Sequence, residues 1–248
     1  MRVPIEVVNA RREQLAQLLQ QNRYLSVHEL CAQLKISEAT ARRDLAALEK
    51  AKRITRTHGG ALVDFNLRFP SFQQRQHEAV EAKRQIAAQA ISHVSPGMTV
   101  YLDAGTTVFA VARLLLERKI RPLTVITASL PVADLLADGE GVKVILSGGE
   151  YLRRQSVLMG KTTHKVLGEF SYDLAVMGAE GANGEGVWNS QADVVKAQQS
   201  VLRHARQILV CMDSSKLGKT APIFLSKWSG KLTLVSELSQ EQVQAILR

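Results

Sequence analysis

The feature that most constrains this chain lies between Ser26 and Lys50. Two short amphipathic segments each open on a serine and are separated by only Lys35 and Ile36. Ser26-Val27-His28-Glu29 reads as a capping box, in which hydroxyl and carboxylate satisfy free N–H groups at a helix start. Ser37 is a second N-cap candidate. The first helix carries Val27, Leu30, Cys31 and Leu34 inward and ends near Lys35; the second, over 37–51, sets Ala41, Leu45 and Leu48 on one face. Helices joined by so brief a turn cannot lie antiparallel and must cross steeply, the layout of a helix-turn-helix. Upstream, Leu15, Leu18 and Leu19 mark an amphipathic helix over 9–21. Downstream, 52–62 reads as a short β-ribbon with β-branched residues and a Gly59-Gly60 bend.

The outward face of the second helix offers nucleic-acid chemistry. Ala39 and Thr40 are short enough near the helix start to let backbone approach a major groove, where Thr40 can hydrogen-bond and Ala39 can touch a thymine methyl. Arg42 and Arg43 can give bidentate contacts to guanine or phosphate. Arg53, Arg56 and His58 line the ribbon as a wing along the phosphate backbone. The candidate DNA contacts are therefore Ser26, Ser37, Ala39, Thr40, Arg42, Arg43, Arg53, Arg56, His58 and Gly59. Residues 1–60 hold eleven Lys/Arg against six Asp/Glu, an excess of five within the chain's net +9. That charge attracts polyanions, although alone it fits a solvated basic face equally well. No ligands at metal spacing accompany His28 or His58.

These residues carry a resemblance. Residues 11–45, ending Ser37-Glu38-Ala39-Thr40-Ala41-Arg42-Arg43-Asp44-Leu45 and followed by Thr57-His58-Gly59-Gly60-Ala61, resemble the N-terminal signature of DeoR-type bacterial transcriptional repressors. That family usually has Ile or Val where this chain has Ala41. The resemblance implies that Arg42 and Arg43 belong to a recognition helix, and that Asp44 orients a neighbouring Arg rather than touching DNA.

Residues 63–77 read as a connector whose Phe65, Phe69 and Phe72 are free to dock on either side. A helix is expected over 78–93. Strand patterns follow at 99–103, 123–127, 142–147, 174–178, 207–213 and 231–235, alternating with helical stretches at 107–118, 130–137, 161–170 and 192–204. Such alternation implies a mostly parallel sheet covered by helices on both faces, with ligands at the strands' carboxyl ends.

Polar residues gather at those ends. Asp103-Ala104-Gly105-Thr106-Thr107 enters a helix whose free N–H groups and dipole favour an anion, although a capped strand-to-helix turn would look the same. It has neither the ending of a Walker loop nor a dinucleotide fingerprint, and no cofactor is expected. Thr127 and Ser129 follow the second strand, Gly149, Arg153 and Ser156 the third, Gly178 and Glu180 the fourth, and Asp213 and Lys216 the fifth. Lys216 and Arg153 can pair with a ligand anion; Asp103, Glu180 and Asp213 can accept from its hydroxyls. From about residue 81 onward the chain is similar to the DeoR sensor domain, through Asp-Ala-Gly-Thr-Thr, Gly-Gly-Glu with Arg153, and Asp-Ser-Ser-Lys. The resemblance implies a fold shared with sugar-phosphate isomerases and an effector that is a phosphorylated sugar or related acid. Departures are Ala128 where the family usually has Asn, Glu180 where Asp is common, and the unusual stretch 189–193.

The expected architecture is α/β. A small winged helix-turn-helix over 1–62 and a linker over 63–77 precede a larger doubly wound, mostly parallel sheet domain of isomerase-like type over 78–248. The expected partners are a double-stranded DNA operator and a small anionic metabolite, a sugar phosphate or sugar acid, bound by a homo-oligomer, dimer or tetramer. No apolar run approaches the roughly 18 residues of a membrane span, the N-terminus lacks a signal-peptide layout, and Cys31 and Cys211 read as reduced, mostly buried thiols. A cytoplasmic protein is expected. The competing readings are a sugar-phosphate isomerase with Glu180 and Lys216 as base and acid, and a nucleotide-binding protein without DNA contact.

Overall fold

The computed structural model describes residues 4–22, 24–51, 53–56, 60–62 and 70–247, which group into two units divided between Phe69 and Pro70. In the first, helix α1 (Ile5–Asn22) precedes strand β1 (Tyr24–Ser26) and helix α2 (Val27–Leu34). Ser26 closes the capping box: its Oγ accepts the Glu29 N–H at 3.2 Å, and the Glu29 carboxylate accepts the Ser26 N–H at 2.7 Å. Lys35 stops α2 in the left-handed region at φ 52°, and Ser37 caps helix α3 (Glu38–Lys50), accepting the Thr40 N–H at 3.3 Å. Strands β2 (Thr55–Arg56) and β3 (Gly60–Leu62) form the ribbon, and β1 adds to it antiparallel in the order β1-β3-β2. Three residues are too few to show a strand period, which is why β1 escaped the sequence pattern.

Leu15, Leu19, Leu30, Leu45, Leu48 and Ile54 form the core of this unit. Ala41 is fully buried, so the small side chain at that position sits in close packing. Below this face lies a charged tie. Asp44 is 2% exposed and accepts from Arg11 Nε at 2.6 Å and Arg12 Nε at 3.0 Å, joining α1 to α3.

The second unit begins with a helix that the sequence pattern had merged into the connector: α4 (Phe72–Gln76), with a Ser71–Gln74 capping box. The expected helix over 78–93 is α5 (Val80–Ala90) followed by a 3-10 turn, Ile91–His93. Then come β4 (Thr99–Leu102), α6 (Thr106–Glu117), β5 (Leu123–Thr127), α7 (Leu130–Ala137) and β6 (Val142–Leu146). A hairpin of β7 (Glu150–Leu152) and β8 (Val157–Met159) leads to α8 (Lys161–Gly168) and β9 (Tyr172–Gly178). After β10 (Gly181–Asn183) and β11 (Gly186–Asn189) come α9 (Ala192–His204), β12 (Ala205–Cys211), β13 (Ile223–Ser226), β14 (Leu232–Val235) and α10 (Gln240–Leu247).

The main sheet is six-stranded and parallel, in the order β14-β12-β9-β4-β5-β6; β10, β11 and β13 make a separate small sheet. Strand alternation sends side chains to two cores. Val100, Leu102, Leu174, Val176 and Leu209 meet Ile86, Val108, Val111 and Leu136 from α5, α6 and α7. Tyr101, Ala175, Met177, Ile208 and Val210 meet Leu167, Val195 and Val201 from α8 and α9. Helices thus cover both faces, as in a doubly wound fold. The sheet grows from β4 towards β6 and then from β9 towards β14, so its topological switch point lies between β4 and β9.

One contrast tests the charged tie. Removing a partner of a buried ion pair leaves uncompensated charge, at about 3–5 kcal/mol in dry sites. The two arginines are partly exposed, so Asp44→Ala is expected to cost about 2 kcal/mol, read from hydrogen exchange of α3 amides. Arg42→Ala removes only an exposed pair with Glu38 and is expected to cost below about 0.5 kcal/mol. Equal effects would contradict the assignment.

Candidate functional site

On α3 the exposed N-terminal face presents Ser37, Glu38, Ala39, Arg42 and Arg43, with Thr40 half-buried. Not all of them are equally available. Ser37 and Thr40 turn towards each other, their hydroxyls 2.9 Å apart. Arg42 pairs with Glu38 at 2.9 Å across one helical turn, whereas Arg43 has no hydrogen-bond or ion-pair partner among the described residues. Asp44 orients arginines as the resemblance implied, but those of α1, not its helix neighbours. Ser26 is spent on its capping box. Arg53 makes a fork to Glu13, with contacts of 2.5 and 2.8 Å, and this hydrogen bonding holds the Glu13 carboxyl below its ordinary range. Only the backbone of Arg56 is described, and His58 and Gly59 lie outside the described residues.

At the switch point of the second unit one network ties the ends of β4 and β9. Asp103, 2% exposed, accepts from the Tyr101 hydroxyl at 2.9 Å and the Ala104 N–H at 2.8 Å on one oxygen. Its other oxygen accepts from Gln198 Nε2 at 2.7 Å and the Gly178 N–H at 3.3 Å. Burial pushes this carboxyl above its ordinary range, against those four hydrogen bonds. Four donors use up a carboxylate's acceptor directions, so Asp103 ties β4 to β9 and is not free to receive ligand hydroxyls, as the sequence pattern had suggested. Gly178 joins the same knot through its carbonyl, which accepts from Gln198 at 2.7 Å.

Thr127 and Ser129 are likewise occupied. The Thr127 hydroxyl donates to the Leu102 carbonyl at 2.6 Å and accepts the Ser129 N–H at 3.0 Å, and Ser129 caps α7. Gly149 adopts φ +124° where a Cβ would collide with the Thr163 hydroxyl and the Met159 carbonyl, so a packing demand explains it. Ser156 sits left-handed at φ 55° in the β7–β8 turn. Glu180 accepts a short hydrogen bond from the Ser190 hydroxyl. Asp213 accepts from the Ser215 N–H at 3.2 Å and faces Lys216 Nζ at 3.5 Å. Burial raises its pKa, but Lys216 and the Ser215 hydrogen bonds outweigh that and lower it. Glu237 takes the Ser214 N–H, at 3.0 and 3.1 Å to its two oxygens.

Other groups at this edge remain open. Gly105, at φ +121°, begins α6 with no side-chain cap and has nothing within 4 Å of a Cβ position. Beside it Thr106 and Thr107 open the helix, both buried. The N-caps of α8 and α9, Gly160 and Gln191, also lack side-chain caps. Arg153 is exposed with no side-chain partner among the described residues, and Lys216 keeps 31% of its side chain exposed. Uncapped helix starts and two cations suit a small anion. Among the described residues no cluster of His, Cys, Asp and Glu resembles a metal site, and no helix is long and apolar enough to cross a membrane.

Two residues of this edge went unread in the sequence. Gln198 ties Asp103, Gly178 and, at 3.2 Å, Asn189. Lys83, 6% exposed, reaches the backbone carbonyls of Arg75 and Glu78. Both break an apolar stripe: Gln198 sits between Val195 and Val201, and Lys83 precedes Ile86, Ala87 and Ala90 at helical spacing. A polar residue on a buried stripe was the available signal.

Comparison with known proteins agrees across most of the chain. The DeoR-like helix-turn-helix domain matches residues 11–65, and the DeoR C-terminal sensor domain matches 78–237. The chain is 33% identical over 204 residues to the HTH-type transcriptional repressor GlcR of Bacillus subtilis (strain 168), covering 82% of this chain and 78% of that protein. To the glycerol-3-phosphate regulon repressor of Escherichia coli (strain K12) it is 29% identical, over 86% and 84% of the two chains. Among solved structures, a D-ribose-5-phosphate isomerase in complex with phospho-erythronic acid aligns with TM-score 0.42 and 16% identity over 55% of this chain. That match spans about half of the isomerase, 53%. The eIF2B delta chain from Chaetomium thermophilum aligns with TM-score 0.47 and 10% identity over 94% of this chain and 72% of its own. Two domain models matched in chain order, and relatives that are repressors rather than enzymes, lead to one conclusion: the chain belongs to the DeoR family of transcriptional regulators.

Proposed function

We propose that this chain represses a carbohydrate-catabolism operon in the cytoplasm, gripping operator half-sites as a dimer or tetramer and responding to a phosphorylated sugar or sugar acid. The observation that carries the DNA half is the exposed start of α3, where Arg43 has no partner among the described residues while Arg11, Arg12 and Arg53 are engaged within the unit. Arg43 is the base or phosphate reader; Arg42 joins it by exchanging an exposed pair worth under about 1 kcal/mol. Ala39 and Thr40 face the groove, Ser37 and Ser26 bring helix starts to phosphates, the ribbon acts as the wing, and Arg56, His58 and Gly59 contact the phosphate backbone. Arg53 contributes once it leaves Glu13.

The anion sits on the free N–H groups of Gly105, Thr106 and Thr107, with Lys216 and Arg153 supplying positive charge. Glu180 and Asp213 receive sugar hydroxyls, and Ser156 and Gly149 shape the β7–β8 side of the pocket. Asp103, Thr127, Ser129 and Gly178 build its floor. Relatives at 29–33% identity include a glycerol-3-phosphate regulon repressor, a lactose phosphotransferase system repressor and an aga operon repressor, which supports a ligand of the sugar-phosphate class. Ligand shifts the operator-binding equilibrium through unequal affinity for two arrangements of the chain.

Fluorescence anisotropy with a duplex selected from random-sequence DNA tests the first half. Arg43→Ala is expected to weaken binding by about 1–3 kcal/mol, and Arg42→Ala by less; unchanged binding in both removes α3 as reader. Affinity should also fall steeply with salt, since phosphate contacts release counterions.

A thermal-shift screen with phosphorylated sugars and sugar acids tests the second half. A ligand of the folded state raises Tm, and Lys216→Ala is expected to weaken that ligand at least about tenfold, near 1.4 kcal/mol, with DNA binding retained. Full response in the variant would place the anion elsewhere.

A further inference from the structure

Helix α4 has five residues, far too few to persist by itself in water, yet it is held at both ends. At its start the Phe72 N–H donates to the Arg154 carbonyl at 2.7 Å, in the β7–β8 turn that carries Arg153. Phe72 itself is buried and meets Phe109 of α6 edge to face, 5.5 Å between ring centres. At its end, Lys83 of α5 donates to the carbonyls of Arg75, at 2.5 Å, and Glu78. Five residues at about 1.5 Å of rise each make α4 roughly 7 Å long, so these ties are close together. All three lead to the anion-binding edge: the Arg153 turn, the helix that Gly105 opens, and the Asp213–Lys216 loop, whose charges act on Lys83. Beyond α4 the corner into α5 is strained, because Ala79 adopts φ 45° with no side-chain cap. A left-handed alanine brings its Cβ too close to the following carbonyl; neighbouring contacts must offset it.

We infer that α4 and its corner, residues 71–79, form the relay that reports anion occupancy to the DNA-binding unit, with Lys83 as its latch. The inference rests on the reading of the sheet's carboxyl edge as the anion site. The covalent path from that edge to the N-terminal unit runs through this helix, since the unit boundary falls just before Pro70. Its direction follows from charge. The Lys83 ammonium is depressed first by burial and next by the Lys216 charge, while Asp213 favours it. An anion that engages Lys216 neutralises the crowding cation and frees Asp213 from its partner, so Lys83 grips the carbonyls of Arg75 and Glu78 more firmly. Fixing Arg153 steadies the Arg154 carbonyl that holds the other end. Both changes dock α4 more tightly.

Hydrogen-exchange mass spectrometry on the full chain, with inorganic phosphate as probe, tests this through the amides of residues 72–78. Phosphate is expected to slow their exchange about threefold or more. Lys83→Met should raise it roughly tenfold and abolish the phosphate response, and Lys216→Glu, which brings a negative charge to the loop, should slow it without phosphate. Phe72→Ala frees the helix from the opposite end and serves if Lys83→Met fails to fold. Connector exchange unchanged by Lys83→Met and Phe72→Ala overturns the relay. So does phosphate that protects residues 105–107 and 214–216 but leaves 72–78 unaltered. Phosphate that protects no amide contradicts the anion-site reading instead; the Lys216→Glu response then decides the relay alone, slowed exchange supporting it and unchanged exchange overturning it.

Discussion

Between β4 and β9 the sheet reverses its direction of growth, and the two strand ends that part there are held by the Asp103 carboxylate. Its four donors come from β4 itself, the turn into α6, the end of β9 and the interior of α9. An unpaired carboxylate at this depth would be costly, and hydrogen bonds to a charged group, each worth about 1.5–3 kcal/mol, offset that cost. The crevice that opens in a doubly wound sheet at its switch point is therefore rigid on its floor. Above it the start of α6 is left without a side-chain cap. A stiff floor beneath an uncapped helix start has the chemistry that suits an anion. Ala128, fully buried among apolar residues next to this floor, has no polar side-chain atom to offer.

The N-terminal unit uses the same device for a different end. Asp44 is buried as Asp103 is, and it draws in Arg11 and Arg12 so that α1 and α3 keep a fixed relation. Positive charge that composition alone would assign to DNA is thus partly structural. What remains without a partner among the described residues at the start of α3 is Arg43, together with Arg42 in an exchangeable pair. Net charge attracts the polyanion, but a few residues in a fixed frame decide what is read.

Much of this was legible beforehand. The two serine caps and the Lys35-Ile36 turn define α2 and α3, because capping chemistry is local. The strands of the main sheet announced themselves by β-branched runs, the central ones buried on both faces. Outside the main sheet the short elements β1, β7, β8, β10, β11 and β13 were missed: three or four residues show no period, and none is an unbroken four-residue run of β-branched and apolar residues as the equally short β4 and β14 are. The polar cluster at the strand ends of the sheet was legible, yet its members could not be sorted. A polar side chain at a strand end looks the same in sequence whether it faces a ligand or ties the chain. Asp103, Thr127 and Ser129 do the second, and only their partners reveal it. Gln198 and Lys83 erred the other way, standing on apolar stripes where a polar residue signals a buried task.

Diffraction from crystals soaked in tungstate, a heavy analogue of phosphate, shows whether the start of α6 seats an anion. The expected result is an anomalous peak within hydrogen-bonding reach of the Gly105, Thr106 and Thr107 amides, beside Lys216, and its loss in Lys216→Ala crystals. A well-occupied peak elsewhere on the sensor unit, with the start of α6 empty, would contradict it.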